Sequence, residues 1–106
     1  MSLSLNLSNK NLSKVENIFS EIQNPETYTE IDLSNNLLTF LPENICLFKN
    51  IHSLNLINNK FIDYNSLSKI LSTLPQLKNL NLDLSSQENV LIVLSALPGL
   101  ITLNGN

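Results

Sequence analysis

The sequence predicts an α/β solenoid: a curved parallel sheet of about five strands with helical returns on its convex side. Three observations point there: a recurring apolar pattern with an amide at a fixed place, an even interval between its copies, and helix-period apolar residues between them. The stretches from Tyr28 to Leu38 and from Ile51 to Phe61 both read L-x-x-L-x-L-x-x-N-x-L, with Asn36 and Asn59 at the amide position. Ser2 to Leu12 and Leu77 to Leu82 follow the pattern more loosely, and Leu100 to Leu103 begins a fifth copy. Copies therefore start near residues 2, 28, 51, 77 and 100, at intervals of 26, 23, 26 and 23. A unit of that length cannot bury its own apolar edge, so neighbours must stack, and residues 1–106 are expected to form one domain, whether alone or within a longer protein.

Each element follows from local periodicity. Ile31/Leu33, Leu54/Leu56 and Leu80/Leu82 alternate with Asp or Asn, which predicts half-buried strands near 3–6, 29–32, 52–55, 78–81 and 101–103, all parallel and in chain order. Between them, Val15, Ile18, Phe19 and Ile22 fall at helical spacing. So do Leu67, Ile70, Leu71 and Leu74, and then Val90, Val93, Leu94 and Leu97. The return from Phe40 to Phe48 differs: it carries Pro42 and only a short apolar pattern, which predicts a turn or a brief 3-10 helix.

Asn36 and Asn59 are read as structural amides. An amide turned inward after a strand can satisfy loop N–H and C=O groups that would otherwise be buried unpaired. The fourth copy lacks this amide and has Ser85 in its place, while its helix pattern begins about three residues early. Ser85, with Glu88 three residues on, has the form of a capping box, so Ser85 is expected to cap the third helix.

Composition removes several function classes. The chain has 23 Leu and 18 Asn but no Arg or Trp, and its net charge of −3 comes from nine acids and six lysines with no run of either sign. Binding nucleic acid through its phosphates needs clustered Lys or Arg, so no nucleic-acid partner is expected. No stretch reaches the roughly 18 apolar residues of a membrane span, and the N-terminus lacks a charged segment followed by a long apolar one, so no membrane association is expected. Cys46 is the single cysteine, which fits a reducing, intracellular compartment, cytoplasmic or nuclear.

The case for catalysis is poor. His52 is the only histidine, and Cys46 falls in a return segment on the other side of the sheet, out of reach as its nucleophile partner. With only Gly99 and Gly105, no phosphate-cradling loop can be built, and no His/Cys group has metal-ligand spacing. Hence no catalytic residue, metal, cofactor or small-molecule substrate is expected, and Cys46 is read as a small buried apolar residue.

The repeat pattern is that of the leucine-rich repeat. Its end, Leu97-Pro-Gly-Leu100-Ile-Thr-Leu103-Asn-Gly105, resembles the L-P-x-L-x-x-L-D/N-G cap of the short intracellular leucine-rich-repeat proteins found among phosphatase-1 regulators, the U2 snRNP A-prime type, acidic nuclear phosphoproteins and axonemal dynein light chain. The resemblance implies a protein-binding scaffold that uses its concave sheet face and the loops beside it. On that face the large or charged outward residues are Glu30, Asp32, His52, Asn55, Ile57, Lys78, Asn79 and Asp83, which are the expected contacts for a protein or peptide partner. The alternative is a structural or assembly element that stacks through its terminal repeats on another domain or a second copy, using Leu3, Leu100 and Ile101.

Overall fold

A computed structural model describes residues 3–105. Its five strands are β1 (Leu3–Asn6), β2 (Tyr28–Asp32), β3 (Ser53–Asn55), β4 (Asn79–Asn81) and β5 (Thr102–Leu103). They form one sheet in chain order with every pairing parallel. The register sets equivalent repeat positions side by side: Ile31 opposes Leu54, Leu54 opposes Leu80, and Leu80 opposes Leu103. Asp32, Asn55 and Asn81 line up likewise one residue later. Because alternate residues point to opposite faces, this makes one continuous apolar row inside and one continuous polar row outside.

The inner row is dry. Ile31, Leu33, Leu54, Leu56, Leu80 and Leu82 are each at most 2% exposed. Burying a side chain of this size contributes about 1.5–3 kcal/mol. The returns close the other side of this core. They are the helices α1 (Glu16–Glu21), α2 (Tyr64–Leu71) and α3 (Gln87–Ala96), and the 3-10 turns Pro25–Thr27 and Glu43–Leu47. Phe19 of α1 meets Phe48 edge-on at 5.1 Å between ring centres, so an aromatic pair fills the space beside the short second return.

Two expectations fail on the outer side, each for a geometric reason. Cys46 is exposed, not buried. Its return is a 3-10 helix with three residues per turn, so Ile45 and Phe48 point inward and Cys46 and Leu47 outward. The cap of α3 is Ser86, not Ser85: the Ser86 hydroxyl accepts the Asn89 N–H at 3.2 Å from an extended backbone. Leu84 packs half-buried against the core, which carries the extended segment one residue further. Glu88 then occupies the second helical position, out of place for a capping box. That start also turns Val93 inward and leaves Leu94 45% exposed, although the apolar pattern had included it.

The loops after the strands are held by amides. Asn36 is buried; its Oδ1 accepts the N–H groups of Lys10 (3.1 Å) and Leu12 (3.0 Å), and its Nδ2 donates to the carbonyls of Leu7, Leu33 and Ser34 at 2.9–3.2 Å. Asn59 does the same one repeat later, accepting from Leu38 N–H at 3.0 Å and donating to the carbonyls of Leu33 (2.9 Å) and Leu56 (3.1 Å). Asn104 clamps both the N–H (2.7 Å) and the C=O (2.9 Å) of Leu82. Among the described residues, the asparagines at 9, 11, 24, 35, 58 and 104 adopt left-handed backbone with positive φ. Asn tolerates that conformation better than most other side-chain-bearing residues.

Candidate binding face

The outer face of the sheet is an open hollow of about 390 Å³. Ser4, Asn6, Glu30, Asp32, Ser53, Asn55, Asn79 and Asn81 rise from its floor, formed at Leu5, Ile31 and Leu54. Of the eight expected contact residues, Glu30, Asp32, Asn55 and Asn79 line it. The other four lie along its margins. His52 and Lys78 stand just before β3 and β4, joined by a 2.8 Å bond from Lys78 N–H to the His52 carbonyl. The Lys78 ammonium lies toward Gly99, 3.9 Å from where a Cβ would stand on that residue. At the opposite margin are Ile57 and Asp83, which follow the strands.

Asp83 is occupied by the fold. Its carboxylate accepts the N–H of Asn58, a left-handed loop residue, and its carbonyl accepts the Tyr64 hydroxyl at 2.7 Å. The fourth repeat lacks the amide that clamps the loops of earlier repeats, and Asp83 with Tyr64 holds the neighbouring loop instead. Burial, and then the Asp83 charge, raise the Tyr64 pKa above 10.0. Tyr64 carried no repeat signal in the sequence, since its partner is a backbone carbonyl 19 residues away.

Polar side chains on the face also bond one another and the chain. In the row that begins the strands, the Ser4 hydroxyl donates to Glu30 Oε2 (3.0 Å), Asn79 Nδ2 to Ser53 Oγ (3.2 Å) and Thr102 Oγ1 to Asn79 Oδ1 (2.8 Å). In the row that ends the strands, one oxygen of each side chain accepts the N–H two residues on: Asn6 from Ser8 (3.0 Å), Asp32 from Ser34 (2.9 Å) and Asn55 from Ile57 (3.1 Å). Such turns fix where the chain leaves the sheet. Ser4, Asn6, Ser53 and Asn81 also line the hollow; strand alternation places them on this face, although they were not among the expected contacts.

A second depression lies on the convex side between the turn Glu43–Leu47 and α2. It encloses about 460 Å³ among Glu43, Cys46, Ser66, Lys69, Ile70 and Thr73. Among the described residues, no group of three His, Cys, Asp or Glu side chains is placed to hold a metal ion, and no helix is long and apolar enough to cross a membrane.

The parallel sheet in chain order, the repeat interval and the inward amides together decide the architecture. The fold is a leucine-rich-repeat solenoid. It is similar to a chain in the crystal structure of the Drosophila melanogaster SNF/U2A' complex, with a TM-score of 0.68 and 17% identity, covering 97% of this chain and 72% of that one. No family model matches the sequence, and no curated protein matches it.

Proposed function

We propose that this leucine-rich-repeat solenoid is a protein-interaction module that docks a protein or peptide on its concave face and adjacent loops. The observation that carries this reading is the hollow itself: a sheet face lined by outward side chains from four adjacent strands, with no segment of the described chain covering it. The structurally similar chain comes from a complex named for two proteins, which supports a protein partner. None of the residues lining the hollow is basic, so a nucleic-acid backbone has nothing there to neutralise its phosphates. The subgroup suggested by the sequence from Leu97 to Gly105 is part of the same reading, as is an intracellular site of action, which the exposed single thiol of Cys46 fits.

A second reading has its own observation. β1 and β5 are the edges of the sheet, the places where another chain could add. Leu3, at the start of β1, is 41% exposed, and Ile101, just before β5, is 70% exposed, as surfaces used for end-to-end stacking would be. One experiment separates the two. Proteins captured from the source cell are titrated against the Glu30→Lys/Asp32→Lys variant and against Leu100→Asp, with circular dichroism verifying that both are folded. Binding lost only in the first supports concave docking. Binding lost only in Leu100→Asp rejects it in favour of stacking.

A further inference from the structure

We infer that the concave face recognises a partner segment through one cationic side chain, Lys or Arg, seated between Glu30 and Asp32. The inference rests on the concave-docking reading above and names the chemistry of the occupant.

Two negative charges stand on β2 that the fold does not use. Asp32 occupies the same repeat position as Asn6 and Asn55, and one of its oxygens makes the same bond to the N–H two residues on that those neutral amides make. An amide therefore suffices for the turn, and the charge of Asp32 is surplus to it. Glu30 is the exception in its own row, where Ser4, Ser53, Asn79 and Thr102 are short and uncharged. Its Oε2 takes the Ser4 hydroxyl, and a neutral acceptor would serve that bond equally.

The two carboxylates lie two residues apart on one strand, and both line the hollow. At the usual strand rise that sets their backbone positions about 7 Å apart along the face. In the arrangement we infer, a guanidinium or ammonium enters between them and bonds the carboxylate oxygens that Ser4 and Ser34 do not engage. Among the described residues no lysine lines the hollow to compete for that place, and the Lys78 ammonium is directed toward Gly99. The amides around the acids, Asn6, Asn55 and Asn81, can bond the backbone of an extended segment carrying the cation.

The size of the face gives weight to such an anchor. Five strands at about 4.8 Å spacing give a surface roughly 19 Å across, small beside the roughly 800 Å² per partner of a standard interface. A small polar surface gains specificity from charge complementarity, and hydrogen bonds between charged partners are about twice as strong as neutral ones.

The test uses the full 106-residue chain, isotope-labelled for NMR, and two capped pentapeptides, Gly-Ser-Arg-Ser-Gly and its neutral counterpart with citrulline in place of arginine. The arginine peptide is expected to shift the backbone signals of Glu30 to Ser34 and Ser53 to Asn55 saturably, and to bind about tenfold more tightly than the citrulline peptide. Glu30→Gln/Asp32→Asn keeps the turn bonds while removing both charges, so it is expected to erase that difference without changing the melting temperature. Equal shifts from the two peptides, or shifts spread evenly over Glu16, Glu43 and Glu88, overturn the inference. So does a captured partner that still binds Glu30→Gln/Asp32→Asn at full strength while losing Glu30→Lys/Asp32→Lys, a result that leaves concave docking itself standing.

Discussion

Asn36 joins five backbone groups from two repeats; removing its side chain takes this partner from the half-buried Leu7 carbonyl and Leu12 N–H and from the Lys10 N–H, while the Leu33 and Ser34 carbonyls keep Asn59 Nδ2 and the Asn9 N–H. Asn36→Ala is therefore expected to lower stability by about 1–3 kcal/mol, measured from the urea midpoint. Asn59→Ala should also cost more than Ser86→Ala, a helix-cap loss of about 1 kcal/mol. Ser85→Ala should stay within about 0.5 kcal/mol, since Ser86 does the capping. Ser68 offers the opposite sign: it is buried on α2 with a hydroxyl that finds no partner among the described residues, so Ser68→Ala is expected to be neutral or stabilising in the same melts. Tyr64 has its pKa raised, so the stability it contributes is full below 10.0 and is lost as pH rises through its folded value. Ultraviolet titration of the native protein against Tyr64→Phe should show the missing ionisation above pH 10.0. Asn36 and Asn59 were legible because the repeat places an amide there. Asp83 and Tyr64 were not, because their bonds depend on a loop path that no spacing encodes.

Element by element, the helices differ in how they begin. α2 is capped by Asp63, whose carboxylate accepts the Ser66 N–H at 3.1 Å and the Ser66 hydroxyl at 2.8 Å. These bonds, the backbone one foremost, lower the Asp63 pKa below 3.8. Its contribution is thus full above 3.8 and falls away as pH drops through the lower folded value, so Asp63→Asn should flatten that part of the acid unfolding curve. α1 is only six residues long and has no side-chain cap. Its amides should exchange hydrogen faster than those of α2 in native-state measurements; equal protection would mean that packing of Phe19 alone sets its stability. Strand alternation and helix period revealed where each element lies. They did not reveal which way a short 3-10 turn faces, because its period of three exposes Cys46 where a longer helix could have buried it.

At the scale of the molecule, the solenoid is short enough to be compact. Its radius of gyration is 12.7 Å, with extents of 37 × 28 × 22 Å. An ordinary domain of this length has roughly 13 Å, so the repeat architecture has not yet elongated the chain. X-ray scattering from the monomer should therefore give a value near this, and end-to-end stacking would show as a marked increase with concentration. Leu54 sits 2% exposed on the central strand, with paired strands on both sides. Leu54→Ala is expected to cost about 2–5 kcal/mol in a single cooperative transition. The repeat interval made this architecture readable, whereas the division of the concave residues into a lined hollow and two margins was not. That division follows from where each strand ends, and β3 and β4 are only three residues long.

The amide clamps also have a direction. Asn36 closes the loop of the repeat before its own, Asn59 does the same for the next, and Asn104 reaches back to Leu82. On a ribosome, which releases the chain from its N-terminus, a repeat cannot be fastened when it emerges. It waits for an amide made 21 residues later in the case of Leu38, and 29 later in the case of Leu7. Synthesis should thus lock this protein one repeat behind the point of emergence, with the newest repeat always open to chaperones and proteases.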